Sequence, residues 1–255
     1  MTEILLFKFK ILLIILARML GMITVAPVLS STFIPMRYKG IFALLLAILC
    51  YPMLSQIDFN IPQDWTVFGL VIIGEIIIGL AIGFIIAVIF VIFQMAGQFF
   101  SLQMGFGISQ VFDPLFQIQI PLIGQFQALF GTFVFISIGG PQLMIYSVYQ
   151  SYFKVPSLNM MEMSGPIADS VVMVFSDMFF IALQLGLPVI GTVLIVTVCL
   201  GLLAKFAPQM NIMMVGFPIY IVVGFITLLA IMPFFITKGA DVLNQYFSFI
   251  IYELF

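Results

Sequence analysis

A long apolar run from Val67 to Phe93, with Glu75 as its one charged residue, limits the folds open to this chain. As a helix it would reach roughly 40 Å, and the hydrocarbon core of a bilayer is about 30 Å thick. The chain as a whole is 64% hydrophobic and 7% charged, whereas a soluble domain usually carries about a quarter charged residues. We therefore predict an integral membrane protein.

Six apolar regions follow one another, separated by breaks that contain proline, glycine or charged residues. A backbone in lipid must satisfy its own hydrogen bonds, and the alternating polarity of a β-barrel is missing from these regions, so each is predicted to be helical. Several are too short or too long for one straight crossing, and we expect some helices to pack mainly against protein. With no evident internal repeat, we predict a single membrane domain over residues 1–255. The regions are Ile4–Val25, Gly40–Leu54, Val67–Phe93, Phe126–Phe153 (interrupted at Gly139–Gln142), Val171–Leu203 and Val215–Ile236.

Two local features modify this all-α prediction. Pro188 and Pro218 lie inside helical regions and predict kinks, because proline removes a backbone donor. Lys8 and Lys10 followed by apolar residues resemble a signal peptide, but Arg18 interrupts the apolar stretch and no small-x-small cleavage site follows. We predict a retained helix there. The tail after Asp241 is assigned no role.

Signatures of enzymes and of cofactor sites are missing from the sequence. The chain has no histidine, and neither a P-loop nor a G-x-S-x-G motif occurs. Its acidic residues are dispersed, and its two cysteines lack the spacing of a metal site. A net charge of −2 without a basic cluster argues against nucleic-acid binding. We predict a protein without enzymatic activity, cofactor or metal.

Glu75 is the most informative single residue. At steps of four residues, Glu75, Gly79 and Gly83 lie on one face of a helix, so this face should approach another helix closely. A carboxylate inside a membrane is a candidate for proton or ion coupling. The alternative is structural: a buried carboxyl group that is protonated, or one that is hydrogen-bonded to a partner subunit.

Arg18 and Lys205 are basic residues in apolar surroundings. Either could pair with Glu75 or with Asp177, and the sequence alone does not choose between them. Packing of the apolar stem, with the charge reaching a membrane interface, is the other interpretation.

The stretch Ala96–Pro114 (AGQFFSLQMGFGISQVFDP) is unusually soft for so apolar a protein. Its glycines permit sharp bends, Met104 and its phenylalanines supply deformable apolar volume, and its Asp-Pro pair disfavours helix. Such a segment could be a re-entrant loop that fills a passage, or a plain connector between helices.

The order of these pieces resembles the FliR/SctT family, membrane subunits of the type III export gates of flagella and injectisomes. The resemblance runs over nearly the whole chain. The motifs at Ala96–Pro114 and Leu202–Ile219 are individually specific. The motifs lie at Arg18–Leu29 (RMLGMITVAPVL), Ile34–Lys39 (IPMRYK), Glu75–Gly83 (E-x3-G-x3-G), Ala96–Pro114 and Leu202–Ile219 (LLAKFAPQMNIMMVGFPI).

The resemblance implies an assembly rather than a protein that works alone. One such subunit joins FliP-like and FliQ-like subunits in a spiral of kinked helical hairpins around a channel in the bacterial inner membrane, at the flagellar basal body. Unfolded export substrates pass through the channel, and FlhB-like and FlhA-like proteins act on its cytoplasmic side. The segment matching residues 102–117 is a plug that holds the channel shut. The plug residues carried over are Met104, Gly105, Phe106, Gly107, Ile108, Phe112 and Asp113.

Lys205 departs from the family pattern, because many relatives carry arginine there, and a bidentate contact is then not expected. Two other functions stay open at this point. An injectisome subunit that delivers effectors would share the gate chemistry. A stand-alone small-molecule permease would need paired inverted repeats with polar groups at the membrane midplane.

Overall fold

The computed structural model describes residues 2–30, 34–55, 57, 61–105, 122–155, 160–209, 211–252 and 254. Within these ranges the chain forms helices and no strand, which confirms the predicted all-α class. The helices are α1 (Thr2–Val25), α2 (Met36–Leu54), α3 (Trp65–Gln103), α4 (Leu122–Ser137), α5 (Gly140–Lys154), α6 (Met160–Phe206) and α7 (Ile212–Tyr252).

Four stretches of the described helices are long and apolar enough to cross a membrane: Met36–Leu54, Trp65–Gln103, Ala168–Phe206 and Met214–Tyr252. A fifth crossing results if the broken pair Ile123–Ser137 and Gly140–Lys154 counts as one. The predicted membrane class is therefore confirmed.

The break between α4 and α5 falls at residues 138–139 and overlaps the predicted interruption, Gly139–Gln142, only at Gly139. Gly139 adopts a left-handed backbone conformation with φ of 78°, which glycine tolerates without steric cost. Pro141 then lies in the first turn of α5, where its missing N–H is not needed. The Gly-Gly-Pro sequence thus ends one helix and starts the next.

Helix ends differ from the sequence prediction at three places. Helix α3 continues past Phe93 to Gln103, so the first part of the soft stretch is helical, since Gly97 alone costs only about 1 kcal/mol of helix propensity. Helix α6 begins at Met160, in a stretch expected to be a break but rich in helix-forming Met and Glu. Helix α7 runs to Tyr252 through the tail that was assigned no role.

The chain divides into two compact units, each built from distant stretches of sequence. The first comprises Met1–Ile89, Ile136–Phe175 and Leu243–Phe255, and the second comprises Phe90–Phe135 and Ser176–Val242. The prediction of a single membrane domain stays a prediction. The core of the first unit includes nine fully buried residues of α1 and α3: Ile14, Ile15, Met19, Met22, Ile23, Ile78, Ile82, Ile85 and Ile86.

Phenylalanines fill the core of the second unit. The ring of Phe235 lies 5.6 Å from that of Phe93 and 6.2 Å from that of Phe100, centroid to centroid, and all three side chains are buried. Two glycines make room for Phe93. A Cβ atom added at Gly131 or Gly239 would lie 2.7 or 2.8 Å from that ring, closer than carbon atoms normally approach. Helices α3, α4 and α7 therefore meet around one aromatic cluster.

Candidate functional site

A buried ion pair joins α1 to α3 in the first unit. Arg18 Nε donates a hydrogen bond of 2.6 Å to Glu75 Oε2, and the two side chains are 0% and 1% exposed. The residues are 57 positions apart in sequence. Arg18, and not Lys205, is therefore the partner of Glu75 in the described part of the chain.

Arg18 also binds the end of α5. Its Nη1 donates to Ser151 Oγ at 2.7 Å, and its Nη2 donates to the Val155 carbonyl oxygen at 3.1 Å. Val155 follows the last turn of α5, where carbonyl groups lack helical partners and a cation is favourable. The guanidinium carbon lies 3.9 Å from the ring centroid of Tyr152, a cation–π contact. We call Arg18, Glu75, Ser151, Tyr152 and Val155 the Arg18 cluster.

The Arg18 cluster offsets the cost of burying two charges. Removing both ions from water costs several kcal/mol each, and the pair can exist only because short, charge-assisted hydrogen bonds surround the guanidinium. Glu75 Oε1 has no hydrogen-bond partner among the described residues. The carboxylate thus holds Arg18 through one oxygen, and the cluster ties three helices together at one point.

The glycine face of α3 brings α3 into backbone contact with α1. A Cβ atom added at Gly79 would fall against the carbonyl group of Arg18, and one added at Gly83 would lie 2.7 Å from the carbonyl oxygen of Met22. Gly21 on α1 is equally close to the backbone of α3. Because Gly79 follows Glu75 by one helical turn, this close approach is what places Arg18 within reach of the carboxylate.

The beginning of the predicted plug segment lies in the second unit. Helix α3 ends at Gln103, and Gly105 turns the chain with φ of 84°. Met104 is fully buried, and its side-chain atoms pack against Gly224 of α7, where an added Cβ would lie 2.5 Å from them. A Cβ atom added at Gly105 would likewise lie 3.0 Å from the ring of Phe217. The sharp turn at Gly105 is therefore anchored to α7.

The other five predicted plug residues lie outside the described residues: Phe106, Gly107, Ile108, Phe112 and Asp113. The plug role of the segment stays a prediction. Lys205 is exposed in the last turn of α6, where its charge is favourable beside free carbonyl groups.

The sequence analysis assigned no contact to three buried polar residues of the first unit. Lys10 Nζ donates to the carbonyl oxygen of Pro62 at 2.9 Å and lies 4.8 Å from the ring centroid of Trp65, with the side chain 8% exposed. The others are Ser151 and Tyr152. Nothing in their sequence neighbourhoods marks them, since the ring that Lys10 contacts, Trp65, is far from it in sequence. Within the described residues, no three His, Cys, Asp or Glu side chains lie close enough to hold a metal ion.

These helices and the buried cluster define a multi-pass, all-α membrane protein. Residues 9–246 match the family model described as "Bacterial export proteins, family 1", and the chain belongs to that family. The resemblance predicted from the sequence motifs is thereby confirmed.

Relatives named flagellar biosynthetic protein FliR are similar over most of their length. The chain is 30% identical to that of Bacillus subtilis (strain 168) over 234 residues, covering 88% of this chain and 86% of the relative. It is 28% identical to that of Aquifex aeolicus (strain VF5), covering 93% and 90%. For Escherichia coli (strain K12) the identity is 27%, covering 86% and 82%. The chain is a component of the flagellar type III export gate, in the bacterial inner membrane at the basal body.

Proposed function

We propose that this chain joins FliP-like and FliQ-like subunits in a helical spiral, and that the spiral encloses a channel for unfolded flagellar proteins. FlhB-like and FlhA-like proteins act on the cytoplasmic side of the channel. The chain itself catalyses no reaction and needs no cofactor. The observation that carries this proposal is the family match over residues 9–246.

The unequal burial of the helices supports an assembly. In the most apolar window of α3, 61% of the residues are buried within the chain, but the corresponding windows of α6 and α7 are only 17% buried. Large apolar side chains on these helices, such as Phe180, Ile195 and Leu229, are exposed. Either lipid or sister subunits could cover such surfaces. In a spiral, a gate subunit would contact sister subunits on some of these surfaces and lipid on the others.

The assembly is tested by mass. The tagged chain, expressed with the other export-gate subunits and purified in mild detergent, should elute as a large hetero-oligomer whose subunits are identified by mass spectrometry. The same chain expressed alone serves as the control. A monomer or homodimer in the presence of the other subunits would contradict the proposal.

The plug is tested by deletion of residues 105–109. A water-filled pore wide enough for a polypeptide would dissipate the membrane potential, so the resting channel needs a bulky apolar seal. We expect the deletion to make cells leak small ions while flagellar proteins are still secreted, as measured with a potential-sensitive dye and by immunoblotting of the medium. Cells without the chain should show neither leak nor secretion. A tight membrane in the deletion strain would reject the plug role.

A further inference from the structure

The N-terminal end of α2 carries positive charge that the described residues do not balance. Helix α2 begins after Pro35, without a side-chain cap and without an acidic residue in its first turn. Arg37 and Lys39 lie in its first two turns. The free N–H groups at a helix N-terminus add a partial positive charge of their own. An anion at this end of the helix would be stabilised by all three contributions.

Lys39 is the second, independent sign of a ligand. Its side chain is only 9% exposed, and in the part of the chain that the structure describes it has no hydrogen-bond or ion-pair partner. Burying a lysine without a partner is costly, and native structures pair such groups. This differs from Lys10, which is equally buried but donates to the carbonyl oxygen of Pro62. The Nζ of Lys39 is not among the fully buried polar atoms, so it keeps contact with water, and no group among the described residues neutralises its charge.

Lys39 lines an apolar cavity of about 350 Å³ in the first unit. On one side of the cavity lies Ile23 of α1, which is fully buried. On another side lie Ile41 and Leu45 of α2, which are also exposed on the outer surface, so this wall continues into an outward-facing apolar surface. Cavities of a few hundred Å³ with mostly apolar walls and few polar groups are typical ligand sites. An apolar volume beside an unpaired lysine suits a molecule with an acyl chain and an anionic end.

We propose that this cavity binds an anionic phospholipid, with its phosphate at Lys39 and the N-terminus of α2, and with part of one acyl chain beside Ile41 and Leu45. Helix α2 is a candidate membrane crossing with 28% of its residues buried. Its charged end, with the exposed Tyr38, therefore has the composition typical of a membrane interface, where basic pockets between helices bind lipid headgroups. Continuity of the cavity wall with the exposed apolar face favours lipid over a carboxylate of a partner subunit.

Native mass spectrometry of the delipidated full chain tests the site, with phosphatidylglycerol and phosphatidylcholine of the same acyl chains as probes. We expect phosphatidylglycerol to remain bound at concentrations at which phosphatidylcholine does not. Lys39→Met should weaken that binding at least about five-fold, the effect of one lysine charge near an anionic headgroup. Lys39→Arg should retain it. Lys205→Met, at an exposed lysine near the end of another membrane helix, is the matched control and should change nothing.

A second pair of variants separates the acyl chain from the charge. Ile41→Trp should fill the cavity and reduce phosphatidylglycerol binding, whereas Leu44→Trp, on the same helix but not lining the cavity, should leave it intact. Circular dichroism checks that each variant is folded.

Equal binding of both lipids, or an unchanged Lys39→Met variant, would overturn the proposal. Competition by glycerol 3-phosphate alone would reduce the site to an anion site and overturn the acyl contact. Cross-linking of Lys39 to a sister subunit in the assembled gate, with loss of the lipid, would assign the cavity to that partner instead.

Discussion

Arg18→Met is expected to lower the free energy of unfolding by about 3–5 kcal/mol, because it leaves the Glu75 carboxylate buried without its cation. Ser151 Oγ and the Val155 carbonyl oxygen would also lose a donor. Since the Arg18 cluster joins α1, α3 and α5, the loss should separate all three helices. Unfolding in a detergent titration, followed through the fluorescence of the single tryptophan, Trp65, measures the effect.

A double-mutant cycle isolates the ion pair from the rest of the cluster. The variant Arg18→Met with Glu75→Gln should be more stable than Arg18→Met alone, because no uncompensated charge stays buried. Lys205→Met, which removes an exposed charge, should stay within about 0.5 kcal/mol of the wild type. If the double variant is no more stable than Arg18→Met alone, the uncompensated Glu75 carboxylate is not what destabilises Arg18→Met.

The Glu75→Gln variant by itself distinguishes the two roles considered for Glu75. A glutamine oxygen can still accept the hydrogen bond from Arg18 Nε. If Glu75 is structural, flagellar secretion should therefore survive with at most a partial loss. Normal assembly combined with complete loss of secretion would instead indicate that the carboxylate takes part in coupling export to the proton gradient.

The sequence predicted the helical membrane class and the glycine face of α3 because both depend on local patterns. Long apolar runs require helices in lipid, and the four-residue spacing of Glu75, Gly79 and Gly83 places them on one face whatever the tertiary structure. The partner of that face could not be predicted. The choice between Arg18 and Lys205 depends on which helices meet, and that is decided by packing between residues far apart in sequence.

The helix ends were less predictable for a related reason. Hydropathy falls after Phe93 and after Ile236, and the sequence analysis placed the ends of the helical regions there. The helices continue because their next turns still bury apolar residues within the protein, as Phe100 does on α3 and Leu243 and Phe247 do on α7. Where protein replaces lipid as the neighbour, a helix can carry polar residues on its other face and still be stable.

Gly79→Ala is expected to lower the free energy of unfolding by about 1–3 kcal/mol, the usual cost of forcing extra volume into a packed contact. The added Cβ would meet the carbonyl group of Arg18, which belongs to the backbone of α1 and cannot rotate away as a side chain could. To make room, α1 must move away from α3. That movement lengthens the bond from Arg18 Nε to Glu75 Oε2, so the same substitution should weaken the ion pair. Gly79→Leu should abolish swimming in soft agar.

Gly69 provides the matched control on the same helix. Nothing lies within 4 Å of a Cβ atom added there, so the steric term is missing and only helix propensity remains. Gly69→Ala should therefore stabilise the protein by up to about 1 kcal/mol, the opposite sign from Gly79→Ala, in the same detergent titration. This difference in sign does not depend on the absolute scale of the titration. If both substitutions stabilise the protein, then α1 and α3 do not touch through their backbones, and the close approach that brings Arg18 to Glu75 would have to have another cause.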